Sequence, residues 1–320
     1  MLKFGFYWAA SCGGCEISVL DIDEALLDVL EAVEVVFWPV AMDVKYSDVE
    51  AMEDGYIDVC FFNGGIRNDE QLHMANLLRK KSKTLIAFGS CAHTGGIPGL
   101  ANLNSRDEIF RRVYKTSPST ENLEGVLPQT DSNVTEGHLT LPRFHEYVKP
   151  LDRVVDVDYI IPGCPPPVKL VVEAFKKIIN GALPEVGSVL APELSVCDEC
   201  PRVKEDKQID HVKRIIDHVP DPETCLLDQG FICMGPATRG GCDAQCLNAN
   251  MPCTGCGGAC PGAIEQGSAM ISALGTVLGL ASEREDDFGF EELMEEIKDP
   301  AGTFYKYALA ASIINRRLQK

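Results

Sequence analysis

LKFGFYWAASCGGCEISVLDIDEALLDVLEAV, residues 2–33, holds a strand, a loop and a helix in one run. The start, LKFGFYW (2–8), is almost continuously apolar, as expected of a strand buried on both faces. EISVLDIDEALLDVLEAV (16–33) instead spaces its apolar residues three and four apart with acids between, which predicts a helix. Between the two lie the thiols of Cys12 and Cys15, separated by Gly13 and Gly14. Such a pair fits a redox dithiol, half a zinc site, or half the cradle of an iron–sulfur cluster.

The same unit recurs along the first half. EVVFWPV (34–40), IDVCFFNGG (57–65), KTLIAFG (83–89) and VDYIIPG (157–163) read as strands. DEQLHMANLLRKK (69–81) and the proline-started CPPPVKLVVEAFKKIING (164–181) read as helices, the first with its lysines at the end favoured by the dipole. A polar, proline-dotted insertion covers about 116–145. Strands alternating with helices imply an α/β fold with a parallel sheet and right-handed crossovers.

In such a sheet every loop leaving a strand end lies on one edge, where ligands bind. Cys12 and Cys15 follow the first strand, Cys91 the strand at 83–89, and Cys164 the strand at 157–163. Topology therefore brings four thiols to one edge. Cys60 sits inside VCFF and reads as a small buried apolar residue. The NGG at 63–65 lacks a phosphate-binding pattern and reads as a turn.

Composition narrows the chemistry. The chain has 320 residues, enough for about two domains, and a net charge of −19, which argues against nucleic acid or an anionic membrane as partner. Its fourteen cysteines exceed what an ordinary enzyme carries, and nine of them fall between Cys197 and Cys260. A disulfide framework suits small secreted domains, not a chain of this size. The start MLKFGFYWAASC has too short an apolar run for a secretion signal, and no uninterrupted apolar segment approaches a membrane span. The expectation is a cytoplasmic protein, in which clustered thiols bind metal.

GALPEVGSVLAPELS (181–195) reads as a linker, after which the periodic pattern weakens and the cysteines crowd. A segment with so few apolar residues per turn needs bound metal to hold it. Helical spacing returns in FEELMEEIK (290–298) and FYKYALAASIINRRL (304–318), while EREDDFGFEE (283–292) reads as a solvated face.

The order CGGC, GSCA, GCPPP, then CDEC, CMGP and PCTGC resembles the small subunit of nickel–iron hydrogenases over nearly the whole chain. It is most similar to the cytoplasmic archaeal viologen-reducing, deazaflavin-non-reducing type, which is coupled to heterodisulfide reductase in methanogens. The resemblance implies a flavodoxin-like parallel sheet domain over 1–185, followed by a loop- and helix-rich iron–sulfur domain over 186–320. It implies three 4Fe-4S clusters. Cys12, Cys15, Cys91 and Cys164 would hold the proximal one, Cys197, Cys200, Cys225 and Cys233 the distal one, and Cys242, Cys253 and Cys256 the medial one.

Two departures matter. Respiratory members use histidine as the first distal ligand, where this chain has Cys197. Many also have a three-iron medial cluster with a proline in place of a fourth ligand, and Cys246 stands at that place here. Cys260 competes for the same role through its Cys-x2-Cys-x3-Cys-Pro spacing, and the reading favours Cys246. All-thiolate ligation lowers the reduction potential relative to histidine. Glu16 fits either a proton-relay carboxylate or a helix-start acid, and His93 either a donor to a cluster sulfur or a polar loop residue.

The resemblance also implies partners. The nickel–iron site belongs to a large subunit, and electrons pass on to an iron–sulfur or flavin protein linked to heterodisulfide reductase. The deazaflavin-reducing hydrogenase small subunit shares these motifs, and the 20-kDa-type subunit of respiratory complex I shares the first half. The alternative from another class is a non-enzymatic zinc-binding interaction protein.

Overall fold

A computed structural model describes residues 1–278 and 294–315. Nine strands occur among them: β1 (Leu2–Trp8), β2 (Val33–Phe37), β3 (Ile57–Asn63), β4 (Ile66–Asn68), β5 (Ser82–Phe88), β6 (Asp131–Val134), β7 (Gly137–Thr140), β8 (Phe144–Lys149) and β9 (Tyr159–Ile161). Five of them form one sheet in the order β2-β1-β3-β5-β9. Every pairing in it is parallel. Counting only these five in chain order gives 2-1-3-4-5, the flavodoxin-like doubly wound order.

The strands are apolar throughout because both faces are covered. Phe4, Phe6, Val59, Phe61, Ile86 and Phe88 point to one face and pack with α1 (Gly14–Leu20) and α7 (Val168–Ile179). Their neighbours Tyr7, Cys60, Phe62, Leu85 and Ala87 point to the other, against α4 (Asp69–Lys81). The period of two along each strand sorts the side chains between the layers. Cys60 is thus core, as its sequence neighbours imply. Two minor sheets lie outside: β4 with β8, and the exposed β6–β7 hairpin within the 116–145 insertion.

α4 keeps the expected bounds because its ends are chemically marked. Asn68 accepts from the Gln71 amide while Gln71 answers the Asn68 amide, and Arg79, Lys80 and Lys81 occupy the last turn. The single helix expected over 16–33 is instead two, α1 and α2 (Ala25–Ala32). Asp23 takes a left-handed φ of 53°, which Asp tolerates better than most residues, and the break lets Ile22 turn into the core. Between β2 and β5 run α3 (Tyr46–Ala51) and α4; α5 (Ser90–Thr94) and α6 (Arg106–Arg111) follow β5.

A third core cluster draws on Val196 through Tyr305, with few regular elements: α8 (Val196–Glu199), α9 (Gln245–Asn248), α10 (Gln266–Val277) and α11 (Pro300–Phe304). The helix expected over 304–318 is not formed in its described part, which continues from α11 as turns and a 3-10 turn at Leu309–Ala311. Its carbonyls go to the first half of the chain: Thr94 Oγ1 donates to Tyr307 O at 2.7 Å and Asn102 Nδ2 to Asn315 O at 3.0 Å. The acidic stretch 283–292 and the start of the 290–298 helix lie outside the described residues. Among the described residues no helix is long and apolar enough to cross a membrane.

Candidate functional site

Three strand ends build the first thiol set. Beyond β1, Gly13 takes φ +81° and opens α1, so that Cys15 enters the first helical turn; a Cβ on Gly13 would meet the Trp8 ring at 2.8 Å. Beyond β5, Gly89 (φ +83°) leads into α5 and Cys91, and a Cβ there would lie 2.3 Å from Cys15 Sγ. A Cβ on Gly96 would lie 2.6 Å from Cys91 Sγ. Beyond β9, Gly163 precedes Cys164. Only glycine leaves this space around the sulfurs.

The four thiols feel one another. Burial pushes Cys91 up to about 12, with Cys164 and Cys12 adding to it. Burial raises Cys15 further still, reinforced by Cys91, Cys164 and Cys12. Cys12 is the exposed member.

The second set comes from α8 and the loops after it. Burial raises Cys197 to about 12, and Cys233, Cys225 and Cys200 follow as causes in that order. Cys233 is buried, raised to about 11, and a Cβ on Gly235 would stand 3.1 Å from Cys197 Sγ. The third set, Cys242, Cys246, Cys253 and Cys256, lines one cavity beneath Pro162, Gly163 and Pro167. Burial raises Cys256 to about 11, partly offset by the Cys164 backbone N–H.

The three sets abut in order. Cys253 N–H donates to Cys233 Sγ at 3.3 Å, joining the third set to the second. Ser90, which precedes Cys91, donates its hydroxyl to the Cys256 carbonyl at 2.6 Å, joining the third set to the first. Chain order is therefore not spatial order: the set latest in sequence stands in the middle.

The buried thiols of these sets, Cys15, Cys91, Cys233 and Cys253, resist ionisation, and a cationic partner favours their thiolates. The glycine cradles leave volume at the sulfurs, as a polynuclear core requires. A single tetrahedral ion would need its ligands gathered about 2.3 Å from one point. Among the described residues no three His, Cys, Asp or Glu side chains converge in that way. The donor sets fit iron–sulfur clusters.

Cys260 does not line the cavity of the third set; it lines another with His93, Arg239 and Asp152. His93 faces that cavity too, its pKa lowered to about 4 by burial and then by Arg239. Glu16 is 3% exposed and accepts from Trp38 Nε1, while its Oε1 has no partner. Burial raises its pKa, against the pull of Trp38 and Asn63. Asn63 is wholly buried, and although it lies beside the carboxylate neither of its side-chain atoms completes a hydrogen bond. Trp38 and Asn63 were not identifiable from sequence, since each reaches Glu16 from a separate strand end.

The family described as NADH ubiquinone oxidoreductase, 20 Kd subunit, matches residues 12–178. The iron–sulfur subunit of the F420-non-reducing hydrogenase of Archaeoglobus profundus is 42% identical, covering 100% of this chain and 99% of that one. The corresponding F420-non-reducing hydrogenase subunit of Methanothermobacter thermautotrophicus is 38% identical over 100% of this chain and 98% of its own length. A chain of the NiFeSe hydrogenase of Dm. baculatum shares the fold, at TM-score 0.50 and 18% identity over 80% of this chain and 94% of that chain. Identity of this order along the full length of both chains makes the protein a member of the family of F420-non-reducing hydrogenase iron–sulfur subunits.

Proposed function

We propose that this chain is the electron-transfer small subunit of a nickel–iron hydrogenase of the deazaflavin-non-reducing type. The observation that carries the proposal is the contact of three four-thiol sets in a row, through Ser90–Cys256 and Cys253–Cys233. Cys12, Cys15, Cys91 and Cys164 hold the proximal cluster; Cys242, Cys246, Cys253 and Cys256 the medial; Cys197, Cys200, Cys225 and Cys233 the distal. Bound there, three 4Fe-4S clusters would supply one-electron steps from a hydrogen-splitting large subunit to an acceptor.

The chain's own residues hold, space and insulate those groups. Glycines 89, 96 and 235 leave room at the sulfurs, and the aromatic face of the sheet keeps water from behind the first set. The acceptor is an iron–sulfur or flavin subunit linked to heterodisulfide reductase, in the cytoplasm. The names of the full-length relatives favour this reading over the deazaflavin-reducing one. Two domains divide the work, 1–185 with the proximal site and 186–320 with the other two; the separate third core cluster supports this division.

Anaerobic purification tests the proposal directly. The protein should be brown, with broad visible absorption and about twelve irons per chain. A colourless, zinc-loaded protein would overturn it.

A further inference from the structure

Arg202 lies two residues past Cys200, in the turn that leaves α8, and only 8% of it is exposed. Its guanidinium reaches two other segments. Nη1 donates to the carbonyl oxygens of Asp221 and Thr224, at 2.7 and 3.0 Å, and Thr224 immediately precedes Cys225. Nη2 donates to Leu247 O at 3.2 Å and to Asn250 Oδ1 at 2.6 Å, and Leu247 immediately follows Cys246. One buried fork ties the loop of Cys225 to the helix of Cys246, hence the second thiol set to the third.

Its acceptors are all neutral. Arg79, Arg106 and Arg143 have carboxylate partners. Arg202 has none among the described residues. The Asp221 carboxylate, which feels its charge, is instead held by the amides of Glu223 and Thr224. Arg202 Nε is buried with no partner among the described residues. An unpaired buried charge costs several kcal/mol, so a compensating negative charge is required nearby.

We propose that Arg202 is a positioning residue and the buried counter-charge of the medial and distal clusters, raising both reduction potentials. The inference rests on the cluster reading above. A cluster held by four thiolates is anionic and becomes more so on reduction, so a fixed positive charge between two of them favours their reduced states. Arg202 makes no hydrogen bond to the segments that carry Cys12, Cys15, Cys91 or Cys164, so its charge acts least on the proximal potential.

The test compares Arg202→Met, which removes the charge, with Arg202→Lys, which keeps the charge without the fork. Each variant is made in the intact complex and read by iron content and by EPR during redox titration. Arg202→Met lowers the midpoint potentials of the medial and distal clusters and leaves the proximal one in place; Arg202→Lys restores most of the shift. Unchanged potentials in a fully loaded Arg202→Met protein overturn the proposal. Should Arg202→Met lose clusters, iron falls from about twelve to about four per chain with the proximal signal intact, and recovery in Arg202→Lys supports the counter-charge. Equal loss in both variants overturns it. An unaltered complex without clusters removes the underlying reading instead, so the two failures are distinct.

Discussion

The Ser90 hydroxyl donates to the carbonyl oxygen of Cys256 across 2.6 Å. That bond spans 166 residues of sequence and joins the turn after β5, where Cys91 sits, to the third thiol set. Ser90 is 2% exposed, while Cys256 is half-buried.

Ser90→Ala removes the hydroxyl that pairs with the Cys256 carbonyl and should cost about 1 kcal/mol. Denaturant unfolding of the anaerobic protein measures this. A stability equal to that of the parent would show that the contact carries no weight.

Gly89→Ala sets a methyl group against Cys15 Sγ in a left-handed conformation, so the first thiol set should lose its cluster, about four irons. Gly262→Ala is the matched control: its φ of +82° is nearly the same as +83° at Gly89, yet nothing lies within 4 Å of its Cβ. Full iron in both variants would mean that space at the sulfur is irrelevant.

Cys246→Ser should remove the medial cluster, whereas Cys260→Ser should keep it, because only Cys246 shares a cavity with Cys242, Cys253 and Cys256. Metal analysis and EPR read the outcome, with a drop of about four irons expected in the first variant alone. The reverse pattern would transfer the fourth ligand to Cys260.

Glu16 gives a pH dependence. Burial raises its folded pKa above the ordinary value of 4.5, so the folded state prefers the protonated acid. Its contribution is fully present below that ordinary value and is lost as pH rises through the folded pKa. Glu16→Gln cannot ionise and should gain stability over the parent as pH rises from the ordinary carboxylate range toward neutrality. A difference between the two proteins that stays flat over this range would mean that Glu16 ionises as freely as in water.

Much of the fold was legible because it is local. β1, β3 and β5 announce themselves as apolar runs, and α4 carries its own capping residues and terminal lysines. The convergence of Cys12, Cys15, Cys91 and Cys164 was also legible, since parallel strands deliver their exits to one edge. The break at Asp23 was not, because the apolar spacing of 16–33 continues through it. Nor was the fate of 304–315, whose spacing is helical but whose carbonyls bind Thr94 and Asn102.

By itself the sequence determined the five strands of the parallel sheet, which sulfurs lie at their exits, and that a cysteine-rich segment follows. These depend on periodicity and chain order. Only the tertiary structure decided that Cys246 rather than Cys260 shares a cavity with Cys242, Cys253 and Cys256, and that Arg202 bridges two ligand segments with no carboxylate partner among the described residues. Those depend on contacts between residues distant along the chain, which no local pattern records.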